Sequence, residues 1–251
     1  MTESLLFLYP EIFSPKKTGK VRAFFTEKVP GVEKEAVCHE LGASAFNLFM
    51  PVQKHTSDVL VYEDCTGDEL KKNPPEADAV ITGRSGVALG IMVADCVPAL
   101  LHDDRTGVIG AVHAGWRGTA KGILINTIEK MISAFGSRPR DIRLAIGPAI
   151  RGCCYEVDLD VLKQIEAKTG PGSNGEGAAL YYGIKGPKAY IDLPEANRQQ
   201  ALDCGINREH IWVSSMCTSC LHDKFNSYRR ESRLGAGKVS GRQGGFIIRH
   251  S

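Results

Sequence analysis

The sequence predicts a mixed-sheet α/β or α+β protein in a single domain. Three observations carry this. The chain has 251 residues, 43% of them hydrophobic, enough for one substantial core. Its centre alternates short apolar runs with amphipathic segments, and turn-forming tetrapeptides join some of those runs as hairpins. That pattern is not a pure βαβ repeat.

Taken in order, "ADAVIT" (77–82) and "GVALGIMVA" (86–94) read as strands on either side of the turn "GRSG". "VPALLH" (97–102) and "GVIGAVH" (107–113) follow, separated by "DDRT". Ala120, Ile123, Leu124, Ile128, Met131, Ile132 and Phe135 then fall on one helical face, with Thr119 to cap the start and Gly136 to stop it. A strand at "IRLAIG" (142–147), a helix from about Asp158 to Lys168, a strand at "KAYIDL" (188–193) and a proline-started helix from Pro194 to Cys204 come next. Strands at "HIWVSSM" (210–216) and "GGFIIR" end the series. The glycine density of "KTGPGSNGEGAA" (168–179) reads as a mobile surface loop rather than a nucleotide cradle, because no clear strand leads into it and no Lys-Ser/Thr follows its glycines.

Composition narrows the partners. Lys and Arg number 31 against 29 Asp and Glu, a formal charge of +2 with no block of one sign. Neither a nucleic acid nor an anionic membrane is expected, and a small-molecule substrate is. The start, "MTESLLFLYPEIF", has too short an apolar run for a signal peptide or a membrane span. The eight cysteines, at 38, 65, 96, 153, 154, 204, 217 and 220, are expected to be reduced thiols in a cytoplasmic protein.

The densest chemistry lies in "ADCVPALLHDDRTGVIGAVHAGWRG". A hairpin centred between Asp104 and Arg105 sets Cys96 opposite His113, on one face and with Cβ atoms about 4.5–5.5 Å apart. Pro98 signals an edge or a bulge nearby. Two chemistries use such a pair: thiolate and imidazole as zinc ligands in an open site, or His113 as the base that activates Cys96 as a nucleophile. Asp95 beside the cysteine, and Arg117 with glycines after the histidine, favour function over packing. Cys217 and Cys220 have the spacing of a metal knuckle, but the second pair on offer, Cys153 and Cys154, is adjacent and poorly spaced for ligation. These four are expected to be buried thiols near a pocket wall. "GCCYEV" is expected to pack a strand end against the core, with Tyr155 the residue placed to stack on a base. Trp116 reads as packing, and His39, His102, His210, His222 and His250 read as surface or structural residues.

"ADCVPALLHDDRTGVIGAVHAGWRGT", "GPAIRGCCYEV", "CTSC", "NSYRR" and "GRQGGFII", in that order, resemble the successive signatures of the YfiH family. It is also called the polyphenol oxidase or laccase-domain family, and the match runs from about Phe24 to the C-terminus. The resemblance implies one domain over 1–251 with four layers, α/β/β/α, a fold shared with cysteine deamidase toxins. It also implies a zinc site made by His55 of "PVQKHTSDV", Cys96 and His113, with "QKHT" standing where the family has QVHG. The stretch from about 24 to 55 is shorter than in the family, which draws substrate-pocket residues from it.

Family members are described as purine nucleoside enzymes that phosphorolyse adenosine, inosine and methylthioadenosine and deaminate adenosine. Polyphenol oxidation and peptidoglycan editing also occur among the family's names. Phosphorolysis needs a cation for phosphate, for which Arg117 and Arg229 are candidates. Deamination needs a proton-transfer group, for which Asp95, Asp58 and Glu156 are candidates, because the His-x-Glu signature of zinc deaminases is missing. Seven histidines without a His-x-His do not suit a multicopper centre, although one copper could occupy the zinc site. The expected function is a zinc-dependent purine nucleoside phosphorylase and adenosine deaminase. The alternatives are a cysteine hydrolase or amidase using Cys96 and His113 on peptide or cell-wall precursors, a copper-dependent polyphenol oxidase, and a non-enzymatic zinc-binding protein.

Overall fold

Several strands of this chain are apolar on both faces, because each is covered on both sides. The computed structural model describes residues 7–44, 47–63, 73–170, 181–235 and 241–251. With strands numbered along the chain, β1 (Phe7–Leu8), β2 (Val21–Thr26), β14 (Gln243–Arg249), β6 (Ala88–Val93) and β3 (Leu48–Phe49) lie side by side, in that order, as a five-stranded sheet. A six-stranded sheet runs β13 (Ile211–Val213), β9 (Ile142–Ile146), β7 (Val97–Asp103), β8 (Ile109–Ala114), β5 (Ala79–Thr82) and β4 (Val59–Val61). Every residue of β7 and β8 is buried.

Between the two sheets lie Phe25, Leu89, Ile91, Leu100, Ile109 and Ile247. On the outer face of the five-stranded sheet, Phe24, Phe246 and Ile248 meet Val37, Cys38 and Leu41 of the helix Lys34–Leu41. On the outer face of the six-stranded sheet, Ile81, Leu101, Val112 and Leu144 meet Ile123, Leu124 and Ile128. The order helix, sheet, sheet, helices is the expected α/β/β/α arrangement. Neighbours such as Phe24 and Phe25 point to opposite faces and so enter different core layers. Phe25 is fully buried and stacks on Trp212 with ring centroids 6.1 Å apart. A Cβ at Gly147 would stand 2.4 Å from that ring, so the β9 end approaches it closely only as glycine.

Three local expectations change. The continuous helix from Thr119 to Phe135 is two helices, Trp116–Lys121 and Ile123–Phe135, because Gly122 takes φ +75° and turns the chain between them. Thr119 is therefore inside a helix, where its hydroxyl accepts from Asn197 (3.0 Å) and its carbonyl from Gln200 (2.9 Å), while Gly115 starts the helix. Gly136 does end the second helix.

The hairpin register is also shifted: Pro98, not Cys96, faces His113. The Asp103 carboxylate accepts from the Arg105 and Thr106 amides and Gly107 takes φ +75°, which centres the turn one residue later than the sequence suggests. The displacement is an even number of pairs, so Cys96 and His113 stay on one side. Strand β7 is interior rather than an edge, and Pro98 is accommodated as its second residue. Finally, "GRSG" is no hairpin turn, since it carries the chain from one sheet to the other.

The remaining elements follow the sequence closely. The helix Leu193–Asp203 has Pro194 in its first turn, and the Asp192 side chain accepts from the Glu195 amide (3.1 Å). The helix Leu159–Thr169 follows the strand β10 (Glu156–Asp158), which pairs with β12 (Lys188–Ile191) in a three-stranded antiparallel sheet completed by β11 (Tyr182–Lys185). The expected loop 168–179 lies outside the described residues from 171 onward. Among the described residues no helix is long and apolar enough to cross a membrane. Truncating Phe25→Ala should cost about 3–5 kcal/mol of stability, read from urea unfolding; a loss below about 1 kcal/mol would mean that the ring does not hold the sheets together.

Candidate metal centre and its cavity

The three sequence-predicted ligands converge. One donor atom each from His55, Cys96 and His113 lies within 4.8 Å of the others, and Cys96 Sγ stands 3.9 Å from His55 Nε2. The two imidazole rings meet edge to face with centroids 4.8 Å apart. A tetrahedral zinc would hold sulfur and nitrogen about 3.6 Å apart, so the donor set fits with small adjustment. The His113 Nδ1–H donates to Asp78 Oδ1 (2.6 Å), which leaves Nε2 as its metal-facing nitrogen.

Asp78, which the sequence reading passed over, organises the whole centre. It stands at the head of β5 and is completely buried. Besides His113, its carboxylate accepts from the amides of Lys54 (3.1 Å), His55 (3.0 Å) and Thr56 (2.6 Å) and from the Thr56 hydroxyl (2.9 Å). Those bonds hold His55 at φ +59°, in the left-handed region that costs a non-glycine residue about 1–2 kcal/mol. Thr56 stands where the resemblance expects glycine, and it contributes both its amide and its hydroxyl. Gln53 anchors the same loop, donating to the Met92 carbonyl (2.7 Å) and accepting from the Met92 amide (2.8 Å). Gly115 explains one glycine of "AGWRG": a Cβ there would sit 3.0 Å from Cys96 Sγ and 3.1 Å from His55 Cδ2.

Charge follows geometry. Burial opposes the Asp78 anion, yet the His113 hydrogen bond and the Thr56 and Lys54 amides hold its carboxyl far below the usual range. Burial likewise works against the Cys96 thiolate, but the charge and hydrogen bond of His113, followed by His55, bring the thiol down to about 6. For His113, burial disfavours the imidazolium, while the Cys96 thiolate and then the Asp78 hydrogen bond lift it to about 9. Without a metal, the Cys96 thiolate and the His113 imidazolium thus favour one another.

The centre lies in the wall of a cavity of about 830 Å³, within the range of small-molecule sites. Arg117, Tyr155, Arg229 and Asp95 also line it. The Arg117 guanidinium stacks over Trp116, 4.4 Å from the ring centroid, and among the described residues no carboxylate pairs with it. Arg229 is tied down: its guanidinium donates to the Glu156 carbonyl (2.7 Å) and lies 5.2 Å from the Tyr155 ring centroid. Tyr155 itself is buried, whereas Tyr228, from the same cavity, is 62% exposed.

Asp95 sits at φ +86° with a fully engaged carboxylate. Thr218 donates to one oxygen (2.6 Å), and Ser227 (3.0 Å) and the Arg229 amide (2.7 Å) donate to the other. Glu156 and Asp58 do not reach the cavity; Glu156 accepts from the Tyr190 hydroxyl (2.6 Å) and Asp58 lies exposed beside Thr56. Tyr228 and Arg242 were missed as cavity residues, although "SYRR" and "GRQGG" contain them. The four cysteines are not all buried either: Cys153 and Cys220 are exposed, because both stand on surface turns.

A four-layer α/β/β/α domain with a His–Cys–His centre opening on a small-molecule cavity places the chain in the laccase-domain class. The crystal structure of YlmD from Geobacillus stearothermophilus is similar over 100% of this chain and 98% of its own, with a TM-score of 0.84 and 27% identity. The chain belongs to the family described as multi-copper polyphenol oxidoreductase laccase, which matches residues 29–250. It is 40% identical over 158 residues to the purine nucleoside phosphorylase YlmD of Geobacillus stearothermophilus. That match takes in 62% of this chain and spans 56% of the relative's length. It is 34% identical over 195 residues, 76% of this chain and 72% of the relative, to the adenosine deaminase RL5 of an unknown prokaryotic organism.

Two outcomes are expected. Alkylation of Cys96 in the metal-free protein should rise through a midpoint near pH 6 rather than 9, since a lowered thiol is thiolate above that value, and His113→Ala should move the midpoint upward; a wild-type midpoint near 9 would contradict the pair. Asp78→Asn should weaken zinc binding about 10- to 100-fold in competition with a chromophoric chelator, and unchanged affinity would remove Asp78 from its supporting role.

Proposed function

We propose that this chain is a zinc-dependent purine nucleoside enzyme that phosphorolyses adenosine, inosine and methylthioadenosine and also deaminates adenosine. The observation that carries the proposal is the three-donor centre His55–Cys96–His113 in the wall of a cavity that is also lined by Arg117, whose guanidinium pairs with no carboxylate among the described residues. The names of the relatives, a purine nucleoside phosphorylase and an adenosine deaminase, support the substrate class. A third ligand held at a strained backbone angle by Asp78 favours a metal centre over a two-residue cysteine hydrolase, which has no use for His55. One small cluster of two histidines and a cysteine also suits a single ion, zinc or copper, rather than the several coppers of a laccase. When bound, zinc supplies Lewis-acid polarisation at an open coordination position.

The side chains divide the remaining work. Arg117, stiffened by Trp116, binds inorganic phosphate with charge-assisted hydrogen bonds at the cavity wall. This role rests on the guanidinium and not on a helix dipole, because the helix Trp116–Lys121 is too short to contribute much. Arg229, lying over the Tyr155 ring, shapes the pocket with it, and Tyr228, largely exposed, is placed to stack on a base. Asp95 acts as a positioning residue, fixing the backbone between Cys96 and Arg229. His113 keeps its Nδ1 proton on Asp78, so its Nε2 stays available as a ligand. Closely spaced but unbonded thiols suit a reducing, cytoplasmic setting.

Phosphorolysis transfers the ribosyl group from the base to phosphate, so incubation of inosine with phosphate should yield hypoxanthine and ribose 1-phosphate. Adenosine without phosphate should yield inosine and ammonia. Chromatography of both reactions, with and without zinc, tests the reading; no turnover of any of the three nucleosides by the zinc-loaded protein would refute it. Arg117→Ala should raise the phosphate concentration for half-maximal phosphorolysis about tenfold or more, near 1.4 kcal/mol, while deamination persists. An unchanged phosphate dependence would remove Arg117 from phosphate binding.

A further inference from the structure

Tertiary folding gathers four sulfurs that lie in two separate parts of the sequence. The turn after Arg151 carries Cys153 and Cys154, and the turn after Met216 carries Cys217 and Cys220. One sulfur from each lies within 4.8 Å of all the others. Cys220 Sγ is 3.3 Å from that of Cys154 and 3.6 Å from that of Cys153. These separations are far beyond the roughly 2.05 Å of a disulfide, and they fall slightly short of the edge of about 3.8 Å that a tetrahedron with Zn–S near 2.3 Å requires.

Burial does not explain the cluster, because Cys153 and Cys220 are exposed and Cys154 is half-buried. Neutral thiols are also weak hydrogen-bonding groups that gain little from meeting four at a time. The Cys217 sulfur accepts from the amides of Arg151, Ser219 and Cys220, the last two lying two and three residues on in the Cys-x-x-Cys turn. Arg230 donates to the carbonyls of Thr218 (2.9 Å) and Ser219 (3.3 Å), which sets a positive charge beside the same turn. Adjacency of Cys153 and Cys154 is no obstacle, since a tight turn brings both sulfurs to one side.

We propose that Cys153, Cys154, Cys217 and Cys220 form a second metal centre, a closed tetrathiolate site for zinc, distinct from His55–Cys96–His113. Binding releases the thiol protons to solvent and involves no change of oxidation state. With all four positions taken by protein sulfur, the ion is structural. It fastens the turn before Tyr155 to the segment that already bridges Ala149 to Cys217 and places Thr218 on Asp95. The inference does not depend on the nucleoside reading.

Metal analysis of the whole protein, purified under reducing conditions without chelator, tests it. The wild type should carry about two zinc ions per chain, and Cys96→Ser and the exposed-site variant Cys220→Ser about one each. Cobalt-substituted wild type and Cys96→Ser should show the intense visible bands of tetrathiolate cobalt, and Cys220→Ser should keep only the weaker bands of the one-thiolate centre. The wild-type metal count and spectrum stand even if a variant misfolds. The proposal is overturned by a zinc content near one that vanishes in Cys96→Ser, by a cobalt spectrum without tetrathiolate bands, or by an intact mass showing two of these thiols joined as a disulfide.

Discussion

The buried carboxylate of Asp78 is the constraint on which the candidate metal centre depends. An isolated charge in that position would be expensive, and it is tolerated because its oxygens accept from His113, from three successive amides and from a hydroxyl. The same bonds perform three tasks. They fix the tautomer and orientation of His113, they hold the loop carrying His55 in a left-handed turn, and they tie both to the head of β5. His55 and His113 meet because they share one anion, not because they are near in sequence.

The layered fold supplies the rigidity this arrangement needs. Strands β7 and β8 are buried on both faces, so Cys96 and His113 leave strand ends that have little freedom to shift. On the other side of the cysteine, Asp95 adopts an unfavourable backbone angle and is held there by Thr218, Ser227 and the Arg229 amide. Two buried aspartates, each with several donors, therefore bracket the centre and strain the backbone at two of its corners. The same contacts also hold part of the cavity lining, because the Arg229 amide is fixed on Asp95 and the Arg229 guanidinium lies over the Tyr155 ring.

The legible part of the fold was the part with clear periodicity and punctuation. The helix ending at Gly136, the proline-started helix Leu193–Asp203 and the central apolar strands could be read directly. The N-terminal elements could not. "VRAFFT" becomes strand β2 without alternation, since both its faces enter cores, and Lys34–Leu41 is a short helix with only three buried positions. Gly122 looked like a tolerated helix glycine until its left-handed angle divided the helix. The hairpin shift came from an aspartate side chain capping its own turn, a contact that competes with the tetrapeptide's composition.

What the sequence determined by itself was residue types and local period: Cys96 and His113 in one hairpin, arginines nearby, and apolar runs of a length that makes strands, with His55 added only by the family resemblance. Those properties belong to single residues and to local period, so no folding is needed to read them. Only the tertiary structure decided which groups meet. Asp78 reached its donors from positions 22 to 35 residues away, and four cysteines judged too poorly spaced to act together came within 4.8 Å. The reason is physical: a ligand set or a buried hydrogen-bond network is defined by distances of a few ångströms, and long-range packing of sheets and turns sets those distances, whereas spacing along the chain does not.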